Sequence, residues 1–353
     1  MSQQKAGMDK RYLAPILNQS GTGLPFADGP LYFDRCRLFR RDRSDEILSL
    51  AEARSQVPKL MDRLQSPRQA IPGMGKSWPM VMGIVNVTPD SFHDGGKQET
   101  TKAAIAHGRK LAAAGAAILD IGGESTRPGA DPVSVELELA RVIPVIEALT
   151  ARDRAAGDLA ADSLVVSVDT RKPEVMAAAV AAGARMINDV TALTYSADSL
   201  CCARDLNVPV VLMHSRGDPE TMQSMTDYDD LIPDILDDLG RRIDACLAAG
   251  IDGANILIDP GLGFAKTAAQ STELLRRMAD LHALGQPVLI GASRKSFIGH
   301  MAGVTRTEDR LPGSLAAAMW AAQQGATIIR VHDVPETVQV MAIFEALCYK
   351  SHR

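Results

Sequence analysis

The sequence predicts an α/β chain, a closed (β/α)8 barrel of the TIM type with a short N-terminal appendage. Three observations carry this: apolar β-rich runs alternate strictly with alanine-rich helical stretches, eight such units follow one another, and nearly every run ends in polar residues. The runs are VMGIVNV (81–87), AAILDIG (116–122), LVVSVDT (164–170), ARMINDV (184–190), PVVLMHS (209–215), NILIDPG (255–261), PVLIGAS (287–293) and TIIRVHD (327–333). They are short and rich in Val, Ile and Leu, as strands covered on both faces must be. Between them KAAIAHGRKLAAAG (102–115) ends on Gly115, a helix C-cap residue, and PEVMAAAVAAG (173–183) starts on Pro173 and ends on Gly183. Alternation alone fits an open doubly wound sheet equally; eight units over about 270 residues select the barrel.

The barrel is assigned to residues 79–353, and residues 1–78 are read as appendage and linker. That first part is polar, carries the arginine-dense RCRLFRRDRSDE and ends in the Pro- and Gly-containing SPRQAIPGMGKSWP. LYFDRCRLFRR is expected to supply a strand or two that plug the barrel floor, and SLAEARSQVPKLMDRLQ a helix. The arginine run reads as a solvated face rather than a phosphate site.

Composition narrows the function classes. Hydrophobic residues make up 46% of the chain, enough for a large core, while aromatics at 4% leave no stacking platform for nucleic acid. A formal net charge of −5 gives no basic field for polyanions, so phosphate chemistry must rest on a few local cations. Five cysteines without a Cys-x-x-Cys pair indicate neither a disulfide framework nor a thiolate zinc site, and fit a reducing cytoplasm. No continuous apolar stretch has the length of a membrane span, so no membrane partner is expected.

The polar residues fall at the C-terminal ends of the runs: Asn86 and Thr88; Asp120, then Glu124, Ser125, Thr126 and Arg127; Asp169; Asn188 and Asp189; His214; Asp259; Ser293, Arg294 and Lys295; Arg330, His332 and Asp333. In a β/α barrel these ends surround one mouth, where active sites lie. A single polar strand end usually caps the next helix, and Asp189 and Asp333 are candidates for that role. NVTPDSFHDGG (86–96) and GGESTRPGADP (122–132) read as mobile lids, neither with the form of a nucleotide P-loop. Arg294, Lys295, Arg330 and His332 lie in the loops where barrels often bind phosphate, which implies an anionic substrate. Asp169, Asn188 and Asp259 form an acidic, amide-bearing set suited to a ring edge rich in N–H donors, so that a cationic and an acidic wall face each other. No His/Cys cluster offers a metal site; Asn86 with substrate phosphate oxygens suits Mg²⁺, which takes few protein ligands.

MGIVNVTPDSF (82–92) and GGESTRPG (122–129) resemble the signature loops of the dihydropteroate synthases, and SVDT, INDV, MH, DPGLGF, SRKSFIG and RVHDV follow in the family's order. The resemblance covers about residues 80–346. It implies that Asp169, Asn188, Asp259 and Lys295 hold a pterin ring. Asn86, Arg330 and His332 would hold the pyrophosphate with Mg²⁺. Thr126, Pro128 and Ser296 would line an aminobenzoate pocket, with Phe92 and Asp94 folding over from the first loop. Arg127, Met213, Lys266 and Arg294 join the substrate-binding set by their places in or beside the same motifs. Asp94, Asp259 and Lys295 are the catalytic candidates.

The implied reaction joins 6-hydroxymethyl-7,8-dihydropterin pyrophosphate to p-aminobenzoate with loss of pyrophosphate, through a cationic methylene delocalised into the pterin. A homodimer is also implied, with GSLAAAMWAAQQGA (313–326) as candidate interface, although such an apolar helix more often simply covers the barrel. The chain departs from the family in carrying Ser215 and Arg216 where many members have Met-Gln, and Leu262 where Phe is frequent. Two other readings fit a pterin barrel. A methyltransferase acting on methyltetrahydrofolate would not need SRKS, RVHD or the ESTRPG loop, and a non-catalytic pterin-binding paralogue would not need a pyrophosphate clamp.

Overall fold

The computed structural model describes residues 10–26, 30–66, 79–87, 97–125, 131–156, 164–218 and 220–348. The appendage forms an antiparallel sheet of β1 (Tyr12–Asn18), β2 (Leu24–Pro25), β3 (Tyr32–Phe39) and β4 (Glu46–Ser49), in which β3 pairs with all the others. The single helix expected next is two, α1 (Leu50–Gln56) and α2 (Pro58–Gln65). Ser49 and Glu52 form a capping box that starts α1, and Pro58 ends it by driving Val57 to φ −140°, ψ 55°.

This unit does not plug the floor. It lies on the flank of the barrel, against the 3-10 segment Met278–Leu284 and the helix that follows the fifth barrel strand. The floor is closed from within by inward side chains, Met80, Ile118, Val165, Met186, Leu257, Leu289 and Ile328 among them, in a cluster separate from the one that contains the appendage's Leu13, Phe33, Phe39 and Met61. The arginine run is only partly solvated: Arg35 and Arg43 are exposed, whereas Arg37 pairs with buried Asp280 at 3.2 Å and Arg41 with Asp234 and Asp237.

The barrel strands are β5 (Met80–Asn86), β6 (Ile118–Gly122), β7 (Val165–Asp169), β8 (Met186–Asp189), β9 (Val210–Met213), β10 (Ile256–Asp259), β11 (Leu289–Ile290) and β12 (Ile328–Val331). Apart from Met80, every one of these residues lies within the runs read from the sequence. All pair in parallel, in the order β10-β9-β8-β7-β6-β5-β12-β11, and an Ile258–Val288 bridge joins the two ends. The outer helices are α3 (Lys97–Ala113), α4 (Val135–Ala156), α5 (Pro173–Ala181), α6 (Ser199–Leu206), α7 (Leu231–Ala248), α8 (Ala268–Arg276), α9 (Ser296–Ala302), α10 (Leu311–Gln323) and α11 (Val334–Cys348).

Candidate active site

Side chains of a strand alternate between its faces, so the floor cluster fixes which residues point into the barrel above it. Climbing from the floor, β6 turns inward Ile118, Asp120 and Gly122; β7 Val165, Ser167 and Asp169; β8 Met186 and Asn188; β9 Val211 and Met213; and β10 Leu257 and Asp259. On β5 the inward series is Met80, Met82, Ile84 and Asn86, and on β12 it is Ile328 and Arg330, continued by His332. The interior thus passes from an apolar floor to a polar well at the mouth.

In the well Asp120, Asp169, Asn188 and Asp259 are buried, while Asn86, Lys295, Arg330 and His332 are half-buried. Arg330 donates from Nε to Asp120 Oδ2 at 2.6 Å and from Nη2 to Asp169 Oδ2 at 2.7 Å, and Asn188 Nδ2 donates to Asp120 Oδ2 at 2.9 Å. The two walls expected to face each other therefore touch, because buried carboxylates need a counter-charge and Arg330 supplies it. Burial raises the Asp169 pKa, with Arg330 pulling it back and Asp120 pushing it further up. Asp120 Oδ1 and Ser167 Oγ, buried beneath, have no hydrogen-bond partner among the described residues.

The loop after β10 supports the other side of the well. Gly261 N donates to Asp259 Oδ1 at 2.7 Å, and Lys295 Nζ donates to the Leu262 carbonyl at 2.5 Å while lying 4.8 Å from the Phe264 ring centre. Gly261 is required here: at φ 67°, its Cβ would stand 2.0 Å from the His214 carbonyl oxygen. Burial lowers the Lys295 pKa to about 8 against the pull of Asp259, and burial raises that of Asp259. Ser293 Oγ lies 3.0 Å from His332 Nδ1 and holds that ring at the rim.

The alternation turns other predicted residues away from the well. Asp189 accepts from Thr191 N at 2.7 Å and Leu193 N at 2.8 Å, so it ties down the loop after β8 rather than capping the next helix, whose N-cap is Asp198. Asp333 is bound by Arg294, whose Nε donates to it at 2.8 Å, so both are engaged with each other. His214 is buried against α7 with Nε2 3.1 Å from Asp238, and Lys266 Nζ lies 3.0 Å from its Nδ1 and donates to the carbonyls of Gly261 at 3.0 Å and Phe264 at 2.8 Å. Lys266 thus braces the loop after β10. Ser296, exposed, opens α9, whose first turn has no side-chain cap.

Beside the well lies a cavity of about 300 Å³, lined by Glu124, Arg171, Tyr195, Ser215 and others, with Met213 and Phe264 as the walls next to the well. Glu124 closes the neck of the second loop, accepting from Val133 N at 3.0 Å and from Arg171 Nε at 3.0 Å. Burial works against its ionisation, yet bonds from Arg171 and Val133 N and the charge of Lys172 hold its pKa below the ordinary value. Phe92 and Asp94 of the first loop, and Thr126, Arg127 and Pro128 of the second, lie outside the described residues. Sequence reasoning passed over Ser167, Arg171 and Phe264; the first and last sit inside quoted motifs, but neither carries a charge to draw attention.

Among the described residues no group of three or more His, Cys, Asp or Glu side chains could hold a metal ion. The donor chemistry at the mouth nonetheless fits Mg²⁺: Asn86 brings an amide oxygen, and Gly122 leaves open a space whose filling by a Cβ would place that atom 3.6 Å from Asn86 Oδ1 and 3.5 Å from Asp169 Cβ.

A family described as pterin binding enzyme matches residues 82–332. Dihydropteroate synthase of Escherichia coli (strain K12) is 47% identical over 270 residues, spanning 76% of this chain and 92% of that protein. Among solved structures, Xanthomonas albilineans dihydropteroate synthase with 4-aminobenzoic acid superposes with a TM-score of 0.70 at 52% identity, covering 77% of this chain and 93% of that one. The Yersinia pestis dihydropteroate synthase in a sulfonamide drug complex also gives 0.70, at 46% identity over 76% and 94% of the two chains.

Proposed function

Since the chain belongs to the pterin binding enzymes, and among them to the dihydropteroate synthases, we propose that its well joins 6-hydroxymethyl-7,8-dihydropterin pyrophosphate to p-aminobenzoate, releasing 7,8-dihydropteroate and pyrophosphate. The observation that carries this reading is the juxtaposition in one well of buried Asp169, Asn188 and Asp259 with Lys295, Arg330 and His332.

Asp169, Asn188 and Asp259 offer acceptors and an amide to the N–H-rich edge of a pterin, and Lys295 offers a donor to its ring acceptors. Arg330 and His332 hold the pyrophosphate and take up charge as the methylene C–O bond breaks and its electron pair leaves with that group. Mg²⁺, held by Asn86 and substrate oxygens, would add charge neutralisation to the leaving pyrophosphate. The carboxylate of Asp259, fixed by Gly261 N, stabilises the cationic methylene delocalised into the ring, with Asp94 of the first loop assigned the same task from the other face. The arylamine nitrogen then forms the C–N bond and loses a proton to solvent.

On the aminobenzoate side, Glu124 fixes the root of the loop bearing Thr126 and Pro128, Phe264 lines the cavity, and Ser296 at the start of α9 is assigned to the same substrate. A sulfonamide, shaped like p-aminobenzoate, should compete with it here. Ile343 and Leu347 lie one turn apart on α11 and are 61% and 66% exposed, an apolar ridge that supports a homodimer. All five cysteines are free, which supports a reducing compartment such as the cytoplasm. Among the described residues no helix is long and apolar enough to cross a membrane. The test is incubation with the dihydropterin pyrophosphate, labelled p-aminobenzoate and Mg²⁺: labelled dihydropteroate is expected, and folded protein that yields none contradicts the reading.

A further inference from the structure

The first turns of α7 carry three carboxylates, Asp234, Asp237 and Asp238, which face cations from two directions. From the appendage, Arg41 donates to Asp234 and, at 2.6 Å, to Asp237, which also accepts from Tyr12 Oη at 2.5 Å and Lys10 Nζ at 2.7 Å. From the loop after β9, Arg216 Nη2 stands 3.7 Å from Asp234 and 3.8 Å from Asp238. Asp234 is shared, its Oδ1 turned to Arg41 and its Oδ2 to Arg216.

Arg216 also stands over Tyr228, its guanidinium carbon 3.9 Å from the ring centre, and donates to the Asp227 carbonyl at 2.5 Å. Tyr228 Oη in turn donates to the Ala265 carbonyl at 3.0 Å. In parallel, Asp238 binds His214, and His214 meets Lys266, which holds the Gly261 and Phe264 carbonyls. Both routes end on residues 261–266, the loop whose Gly261 N fixes Asp259 and whose Leu262 carbonyl fixes Lys295. Arg216 lies within the residues matched to the family, whereas Arg41 belongs to a segment outside them.

We propose that Arg216 is a positioning residue for the pterin-holding side of the well, and that Arg41, through the shared Asp234, supports it from the N-terminal sheet. The extension thereby acts on substrate affinity as well as on stability. This rests on the reading of the well as a pterin site. Arg216→Met keeps most of the side-chain volume while removing the charge and the cation–π contact with Tyr228.

The experiment measures kcat and both KM values in the full-length protein for wild type, Arg216→Met, Arg41→Met and the double variant. Expected for Arg216→Met is a rise of about fivefold in KM for the dihydropterin pyrophosphate, with kcat and the KM for p-aminobenzoate within about twofold. Arg41→Met moves the same KM by about twofold, and the double variant is no worse than Arg216→Met alone, because both act through one carboxylate. A purely structural role lowers the melting temperature and leaves the KM where it was; that result, or effects that multiply in the double variant, overturns the proposal. If Arg216→Met does not fold, Arg41→Met decides alone: a selective KM rise supports the coupling and an unchanged KM overturns it. An inactive wild type instead overturns the reaction itself, and this inference with it.

Discussion

Arg330 crosses the mouth of the barrel and donates from Nη2 to Asp169 at 2.7 Å, while its Nε holds Asp120 at 2.6 Å. One guanidinium thus bridges two buried carboxylates, and the residue assigned to pyrophosphate also pulls the pKa of the pterin-side acid back down against its burial. Replacing it by Met strands both acids. Arg330→Met is expected to lose about 3 kcal/mol of folding stability, read by denaturant unfolding, and at least about 100-fold in kcat/KM. Asp120→Asn in the Arg330→Met background should regain part of the stability but none of the activity.

Lys295 gives a pH signature. Burial brings its pKa down to about 8, so as pH rises through that value the ammonium is lost and with it the charged donor facing the well. The kcat/KM for the dihydropterin pyrophosphate should fall on an alkaline limb near 8. Lys295→Arg stays charged and should lose that limb while retaining reduced activity. A limb unmoved in that variant would assign the titration to another group.

Stability has its own pH dependence through His214. Burial, with Lys266 beside it, lowers its folded pKa to about 4, against 6.5 for the free side chain. Between those values the unfolded chain binds a proton that the folded chain refuses, so this stability is complete above pH 6.5 and is lost as pH falls toward 4, by roughly 3 kcal/mol. Thermal melts from pH 7.5 to 4.5 should show the decline, and His214→Asn, starting from a lower stability, should show a shallower one.

Glu124 and Arg171 predict a separation of the two substrates. Their bidentate contact closes the neck of the second loop, so Arg171→Met should raise the KM for p-aminobenzoate about fivefold, equivalent to roughly 1 kcal/mol, and leave that for the pterin within about twofold. Steady-state kinetics with each substrate varied in turn checks this. Equal changes in both would mean that Arg171 supports the barrel rather than the loop.

Much of the barrel and its well is legible in the sequence because barrel strands obey a period of two. Once Met186 and Val211 face inward, Asn188 and Met213 must do so too, and Asp189 and His214 must face out. That parity is contained in the apolar runs themselves, and it sets His214 apart from the substrate contacts. Lys266 is less accessible, since only the bend of residues 261–266 carries its amine beneath the loop. The seat of the appendage is hidden for a different reason: Arg41 and Asp234 are 193 positions apart, and no local pattern pairs them. The break at Val57–Pro58, by contrast, is written in the proline.

On this reading one well carries out the condensation, with Asp259 as its key carboxylate. The most direct test follows dihydropteroate and pyrophosphate together, from the dihydropterin pyrophosphate and p-aminobenzoate, for wild type and Asp259→Asn with unchanged circular dichroism. The wild type should release one pyrophosphate per dihydropteroate, and the variant should show a kcat at least about 100-fold lower. A folded wild type that forms no dihydropteroate, or a variant that turns over at the wild-type rate, would contradict it.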